Sequence, residues 1–157
     1  MVNTPFSLND TGWPLVRIDG VGVTFGRNEV LRDIHLDIHR GETLAVIGES
    51  GCGKTVLLKT VIGLLRPHRG AVYFDGRDLA RLNERELTRQ RIRYGFLFQQ
   101  AALFDSMTIA QNVAFPLRQH TRKPESEIQD IVLARLAEVG LSSSVLARKP
   151  AELSGGM

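Results

Sequence analysis

Hydrophobic and polar residues alternate in the first part of the chain, and this period of two predicts β-strands. The segments "LVRIDGVGVTF" (15–25) and "HLDIHRGETLAVIG" (35–48) fit strands, with turns at Gly20, Gly26 and Arg40-Gly41. The runs "AVYFDG" (71–76) and "YGFLFQ" (94–99) predict further strands. Residues 44–47 form a continuous apolar run, which predicts a strand buried on both faces.

Four other segments follow helical patterns. Residues 56–65 are apolar with few helix breakers, and "RPHRG" (66–70) ends that helix. "NERELTRQRIR" (83–93) predicts a short helix with Asn83 as its N-cap. Residues 106–120 and 125–141 predict two more helices, and the second carries an apolar stripe ended by Gly140: Ile128, Ile131, Val132, Leu136 and Val139. Periodicity alone leaves open whether this stripe docks on one core or belongs to a separate helical subdomain.

Composition narrows the class of protein. The chain has 157 residues and a net charge of +3, which suits one globular domain. Its densest basic cluster, residues 85–93, includes Glu86 and lies on a predicted helix. That pattern favours a solvated helix face, so we expect no nucleic-acid partner. Residues 1–14 look like a leader without signal-peptide features, and no apolar run reaches membrane-spanning length.

The segment "LAVIGESGCGKT" (44–55) carries the clearest chemistry. A predicted strand runs into Gly48-Glu49-Ser50-Gly51-Cys52-Gly53-Lys54-Thr55, which fits the phosphate-loop pattern G-x-x-x-x-G-K-[ST] and precedes a predicted helix. Glycines allow backbone N–H groups to converge on phosphate oxygens, and the helix N-terminus adds a positive dipole. Lys54 is placed to reach the β- and γ-phosphates, and the Thr55 hydroxyl to ligate Mg²⁺. Cys52 is the single cysteine, so no intrachain disulfide is possible.

Together with three other motifs, this loop resembles the nucleotide-binding subunits of ABC transporters. Phe25-Gly26 resembles the opening in which an aromatic ring stacks on adenine, and "FLFQ" ends at Gln99, which by resemblance contacts the metal and the attacking water. "LSGGM" (153–157) resembles the family's signature motif, so Ser154, Gly155 and Gly156 are expected to face the γ-phosphate bound by another subunit. The fold implied is α/β, a P-loop NTPase of the ABC type, with a strand-rich N-terminal part, a parallel core and a helical subdomain.

The resemblance implies ATP and Mg²⁺ as cofactors, with Lys54 and Gln99 in catalytic roles. It also implies transmembrane permease subunits as partners, a homodimer when complete, and a cytoplasmic location, peripheral on the inner membrane. The expected boundaries are a leader at 1–14, a nucleotide-binding core at 15–99 and a helical subdomain at 100–157. The segment "ALFDSMT" (102–108) and the methionine of "LSGGM" resemble the ATPases of Mce-type phospholipid transport.

The sequence departs from the family pattern at its C-terminal end, where it looks incomplete. No apolar run ends in Asp-Glu, so the metal-binding aspartate and the catalytic glutamate have no match, and none of the four histidines fits the switch position. ATPase activity of this chain is therefore left open. Two alternatives stay beside phospholipid transport: a truncated, non-catalytic nucleotide-binding fragment, and an ABC importer subunit for another substrate.

Overall fold

The computed structural model describes residues 12–99 and 102–157. The chain divides into two compact units, Met1–Phe96 and Leu97–Met157, and each unit is described here by itself. Most of the predicted leader, residues 1–11, lies outside the described residues. In the described ranges no helix is long and apolar enough to cross a membrane.

The first unit contains a four-stranded sheet. Its strands are β1 (Val16–Phe25), β2 (Asn28–Ile38), β3 (Arg69–Phe74) and β4 (Arg77–Asp78), in the order β2-β1-β3-β4. All three pairings are antiparallel. β1 and β2 form a hairpin, and Gly26, with φ 59°, occupies its two-residue turn. This confirms the strands predicted for residues 15–25 and 71–76 and the turn at Gly26.

A bulge in β1 replaces the turn predicted at Gly20. Val16 and Ile18 are buried before it, and Val21 and Val23 after it, so the buried phase moves by one residue. Gly20 has φ 59°, and the pairing register shifts at this point with both neighbouring strands. An inserted residue of this kind keeps a strand paired while its inward face changes.

Two helices accompany this sheet: α1 (Lys54–Val61) and α2 (Glu84–Arg91). The helix predicted for residues 56–65 is confirmed, although it begins earlier and ends earlier. Asn83 caps α2 as predicted, and the Glu86 carboxylate accepts a hydrogen bond from the Asn83 backbone N–H, completing a capping box. Buried residues of the strands, with Leu79 and Leu87, form the apolar core of this unit.

The strands predicted at residues 44–47 and 94–99 are wrong. Residues 42–49 and 94–98 have no assigned secondary structure, and no parallel pairing occurs among the described strands. The predicted burial of residues 44–47 is also wrong, since Ile47 is 92% exposed. A strand requires a neighbour to complete its hydrogen bonds, and none of the strand pairings in the described sheet includes these residues.

The second unit is helical. It contains α3 (Ile109–His120), α4 (Glu125–Glu138) and two short 3₁₀ segments, Ser143–Val145 and Pro150–Glu152. The predicted stripe on α4 is confirmed at Ile128, Val132 and Leu136, which pack in a core that also contains Ile109, Ala114 and Val145. Val139 is 70% exposed because α4 ends before it.

Candidate functional site

The loop predicted to bind phosphate has a backbone that requires glycine. Gly51 has φ 83° and Gly53 has φ 99°, conformations that other residues rarely adopt. Gly53 also packs against β2: a Cβ atom there would lie 3.0 Å from Val30 Cγ1 and 3.2 Å from the Val30 carbonyl oxygen. The loop therefore approaches β2 more closely than any side chain at position 53 would allow.

The Lys54 ammonium group lies inside this loop. Its Nζ donates hydrogen bonds to the carbonyl oxygens of Gly48 and Glu49, each at 2.7 Å. The same Nζ lies 3.6 Å from Cys52 Sγ. Residues 48–52 thus wrap around the lysine head group and hold a positive charge at the start of α1, where a phosphate would bind.

The first turn of α1 is free to receive an anion. Gly53 is the N-cap and supplies no side-chain hydrogen bond, and no acidic residue lies in the first turn. Helix N-termini carry unsatisfied N–H groups and a partial positive charge. Thr55 is exposed, and its hydroxyl makes no hydrogen bond to any residue in the described ranges. The N–H groups of the first turn of α1, the Lys54 ammonium and the Thr55 hydroxyl are groups that suit a phosphate and its metal ion.

Cys52 is exposed and belongs to the loop. A Cβ atom at Gly48 would lie only 2.8 Å from the Cys52 sulfur, so the thiol packs against the backbone where the loop begins. Glycine at position 48 is what permits this contact. The two ends of the loop are thereby drawn together around Lys54.

Phe25 lies at the end of the hairpin whose second strand contacts this loop, and its role in stacking on adenine stays a prediction. Phe25 ends β1 and pairs with Asn28 of β2, two residues before Val30, which contacts Gly53. The Phe25 ring is 51% exposed. An exposed aromatic ring near a phosphate-binding loop can stack on a planar base.

Gln99 and the signature residues lie in the second unit. All of them are exposed: Gln99, Ser154, Gly155 and Gly156. The signature segment forms a turn in which Met157 N–H donates to the Ser154 carbonyl at 2.9 Å. Their contacts with nucleotide and metal stay predictions. In the described residues, no group of three or more His, Cys, Asp or Glu side chains is arranged to hold a metal.

Sequence reasoning missed one polar residue in the second unit, Asn112. It lies inside α3, yet its carboxamide contacts the backbone of the preceding loop at Phe104 and Met107. A signal was present, because asparagine is unfavourable in a helix interior and prefers local backbone hydrogen bonds.

Comparison with known proteins identifies the family. The ABC transporter family model matches residues 31–157. The chain is 46% identical over 149 residues to the probable ribonucleotide transport ATP-binding protein Mkl of Mycobacterium tuberculosis, covering 93% of this chain and 41% of that protein. It is 45% identical over 142 residues to the intermembrane phospholipid transport system ATP-binding protein MlaF of Haemophilus influenzae, covering 89% of this chain and 53% of that one. The chain thus spans about half the length, or less, of these relatives.

Comparison with solved structures identifies the same kind of protein, an ATP-binding cassette. A dimeric, post-hydrolysis structure of the ATP-binding cassette MJ0796, bound to ADP and phosphate, superposes with a TM-score of 0.82 and 32% identity. The superposition covers 89% of this chain and 63% of that one. The P-loop NTPase fold of the ABC type is therefore confirmed. ATPases of this family generally bind ATP with Mg²⁺ and work as dimers with transmembrane permease subunits. The chain belongs to the ABC transporter family.

Proposed function

We propose that this protein is the ATP-binding subunit of an ABC transporter that moves phospholipid, acting on the cytoplasmic side of the inner membrane through permease subunits. The observation that carries the proposal is the loop around Lys54: two left-handed glycines, an enclosed ammonium and an uncapped helix start. These groups suit the phosphates of a nucleotide.

The remaining site residues take roles that follow from the family. Lys54 contacts the β- and γ-phosphates, Thr55 ligates Mg²⁺, and the Phe25 ring stacks on adenine. Gln99 contacts the metal and the attacking water. The signature residues face the nucleotide of a second subunit: Ser154, Gly155 and Gly156. A homodimer is the assembly that brings the two sets of residues together.

Membrane partners are proposed to dock on the loop before α3. Leu103 and Phe104 are exposed there, at 39% and 48%, and the Phe104 ring packs against Phe115 with centroids 4.8 Å apart. Exposed aromatic residues of this kind are characteristic of protein interfaces. The exposed Asp105 carboxylate beside them would suit a permease segment that presents apolar and basic side chains.

Nucleotide binding can be tested by replacing Lys54. Lys54→Ala removes a charge-assisted contact of about 1.5–3 kcal/mol, so the Kd of Mg-ATP should rise roughly 10- to 150-fold, measured with a fluorescent ATP analogue. Lys59→Ala is the matched control, because Lys59 lies in the last turn of the same helix. Equal affinity in wild type and Lys54→Ala would refute the phosphate-loop role.

The cargo has a specific rival. Phospholipid is supported by the similarity to MlaF, and the similarity to Mkl supports ribonucleotide instead. The test is to purify the protein with the membrane proteins that it binds in its host, and to reconstitute the complex in vesicles. ATP-dependent movement of labelled phospholipid is the expected result. ATP-dependent uptake of labelled ribonucleotide, with no lipid movement, would favour the rival.

A further inference from the structure

The Asn112 carboxamide holds the turn that precedes α3. Its Oδ1 accepts a hydrogen bond from the Phe104 backbone N–H at 2.8 Å, and its Nδ2 donates to the Phe104 carbonyl at 3.1 Å. Nδ2 also lies 3.3 Å from the Met107 carbonyl and 3.0 Å from the Thr108 carbonyl. One side chain thus engages both ends of the β-turn formed by residues 104–107.

Only a carboxamide can make this set of contacts. The pairing with Phe104 requires an acceptor and a donor side by side, and Nδ2 has two hydrogens to serve the surrounding carbonyls. Aspartate would keep the acceptor but place a second oxygen against three carbonyl oxygens. Alanine would remove every contact and favour the helix itself, since alanine has the higher helix propensity.

The turn that the Asn112 carboxamide holds carries exposed residues, Phe104 and Asp105. Phe104 accepts from the Met107 N–H at 3.1 Å to close the turn, and its ring rests on Phe115, three residues after Asn112. The Asn112 carboxamide fixes the Phe104 backbone and Phe115 supports the Phe104 ring. The exposed ring and the adjacent Asp105 carboxylate are thereby presented in one conformation.

We propose that Asn112 is a positioning residue for permease docking: its carboxamide preforms the 104–107 turn so that Phe104 and Asp105 meet the membrane partner without a prior ordering step. This inference rests on the docking surface assigned under the proposed function. Ordering a loop in advance removes part of the entropic cost of association. Loss of Asn112 should therefore weaken docking while leaving the phosphate loop, in the other unit, unaffected.

The experiment compares four forms of the full chain: wild type, Asn112→Ala, Asn112→Asp and Asn83→Ala. Asn83 is the matched control, because it also closes a capping contact with its side chain but does so on α2. Hydrogen exchange of the Phe104 amide is measured on the purified proteins. A photo-crosslinker is placed at Leu103 in each form, and crosslinking to an integral membrane protein is measured in cells of the host. Mg-ATP affinity is measured in parallel.

Asn112→Ala should exchange the Phe104 amide about fivefold faster, as expected for loss of a net hydrogen bond of about 1 kcal/mol. Asn112→Asp should also exchange it faster, because its second oxygen would face the surrounding carbonyl oxygens. The membrane crosslink of both variants should fall by a comparable factor, with Mg-ATP affinity unchanged. Asn83→Ala should match wild type in exchange and crosslinking. Unchanged exchange in the Asn112 variants would overturn the preformed turn, and faster exchange with an undiminished crosslink would reduce Asn112 to a structural role. Absence of any wild-type crosslink would instead overturn the docking surface, which belongs to the proposed function.

Discussion

Glycine at three positions makes the phosphate loop and its sheet geometrically possible. Gly53 approaches Val30, and Gly48 approaches the Cys52 sulfur. Gly70 of β3 lies so close to the bulge in β1 that a Cβ atom would lie 2.3 Å from the Gly20 carbonyl oxygen. The absence of a side chain permits all three approaches, and Gly53 and Gly70 also have the positive φ that glycine adopts readily.

Phe25 should contribute to binding of the base and not of the phosphates. An aromatic contact supplies about 0.5–1.5 kcal/mol beyond area burial, so Phe25→Ala should weaken Mg-ATP binding roughly 2- to 13-fold. Pyrophosphate affinity should be unchanged, because it has no base to stack. Calorimetric titration with both ligands measures this.

Trp13→Ala is the control for that experiment. Trp13 is also an exposed aromatic residue of the first unit, and it packs on Arg17 instead of bordering the loop. It should leave both affinities unchanged. Equal losses for ATP and pyrophosphate in Phe25→Ala would contradict stacking and indicate a general folding defect.

Asp75 links three elements of the first unit. It lies in the turn between β3 and β4, and its carboxylate accepts hydrogen bonds from Arg93, at 2.7 Å, and from Arg40. Arg40 follows β2 and Arg93 follows α2. Arg93 also lies over the Phe74 ring, 4.6 Å from its centroid. The hydrogen bond from Arg93 is the main cause that lowers the pKa of Asp75, and partial burial opposes it.

This carboxylate should make stability depend on pH in acid. Because its folded pKa is lower than the unfolded value of about 3.9, its contribution is fully present above that value and is lost as pH falls through the folded pKa. The carboxylate is 37% exposed, so solvent screening limits the contribution to about 1 kcal/mol for two pairs. Urea unfolding should show wild type more stable than Asp75→Asn by this amount at pH 7, with the difference shrinking below about pH 4.

Asp130→Asn serves as the comparison for Asp75. Asp130 is an exposed carboxylate on α4 that has no ion pair among the residues described, so its replacement should change stability little at any pH. A difference between wild type and Asp75→Asn that stayed constant down to pH 3 would show that the two arginines do not act through the ionised carboxylate.

Local sequence patterns predicted the helices better than they predicted strands, since the strands expected at residues 44–47 and 94–99 are absent from the described structure. The N-cap of α2 follows from Asn83 and Glu86, three residues apart, and α4 follows from its apolar period. Residues 44–47 have strand-like composition, but a strand also requires a partner that local sequence does not specify. The phosphate loop was predictable because its glycines and its lysine lie within one short segment of the sequence, residues 48–54. For Asn112 the sequence contains a signal, an asparagine inside a helix, but not the partners of its side chain, since these depend on how the 104–107 turn folds back on α3.

Each of the two units has its own apolar core, and each also exposes neighbouring apolar residues in segments to which the described structure assigns no strand. In the first unit Leu44, Val46 and Ile47 are 41%, 39% and 92% exposed. In the second unit Leu97 and Phe98 are 92% and 41% exposed. These residues lie next to or near one another in segments without assigned secondary structure, unlike single apolar residues scattered over an ordinary surface. Such segments are templates for pairing with other chains.

We therefore expect residues 1–157, expressed alone, to self-associate. Light scattering at micromolar concentration should give a mass above the 17.4 kDa of one chain, and heating should aggregate the protein. Ile47→Lys and Leu97→Lys should each reduce association, because a charge on an exposed strand-like segment blocks pairing.

Val139→Lys is the matched control, since Val139 is 70% exposed at the end of a helix, where the backbone is already bonded. Stability of a domain is only about 5–15 kcal/mol, so exposed apolar segments weigh heavily in it. A monomer that unfolds in one cooperative step at about 45–65 °C would show that the two cores suffice without partners for these segments.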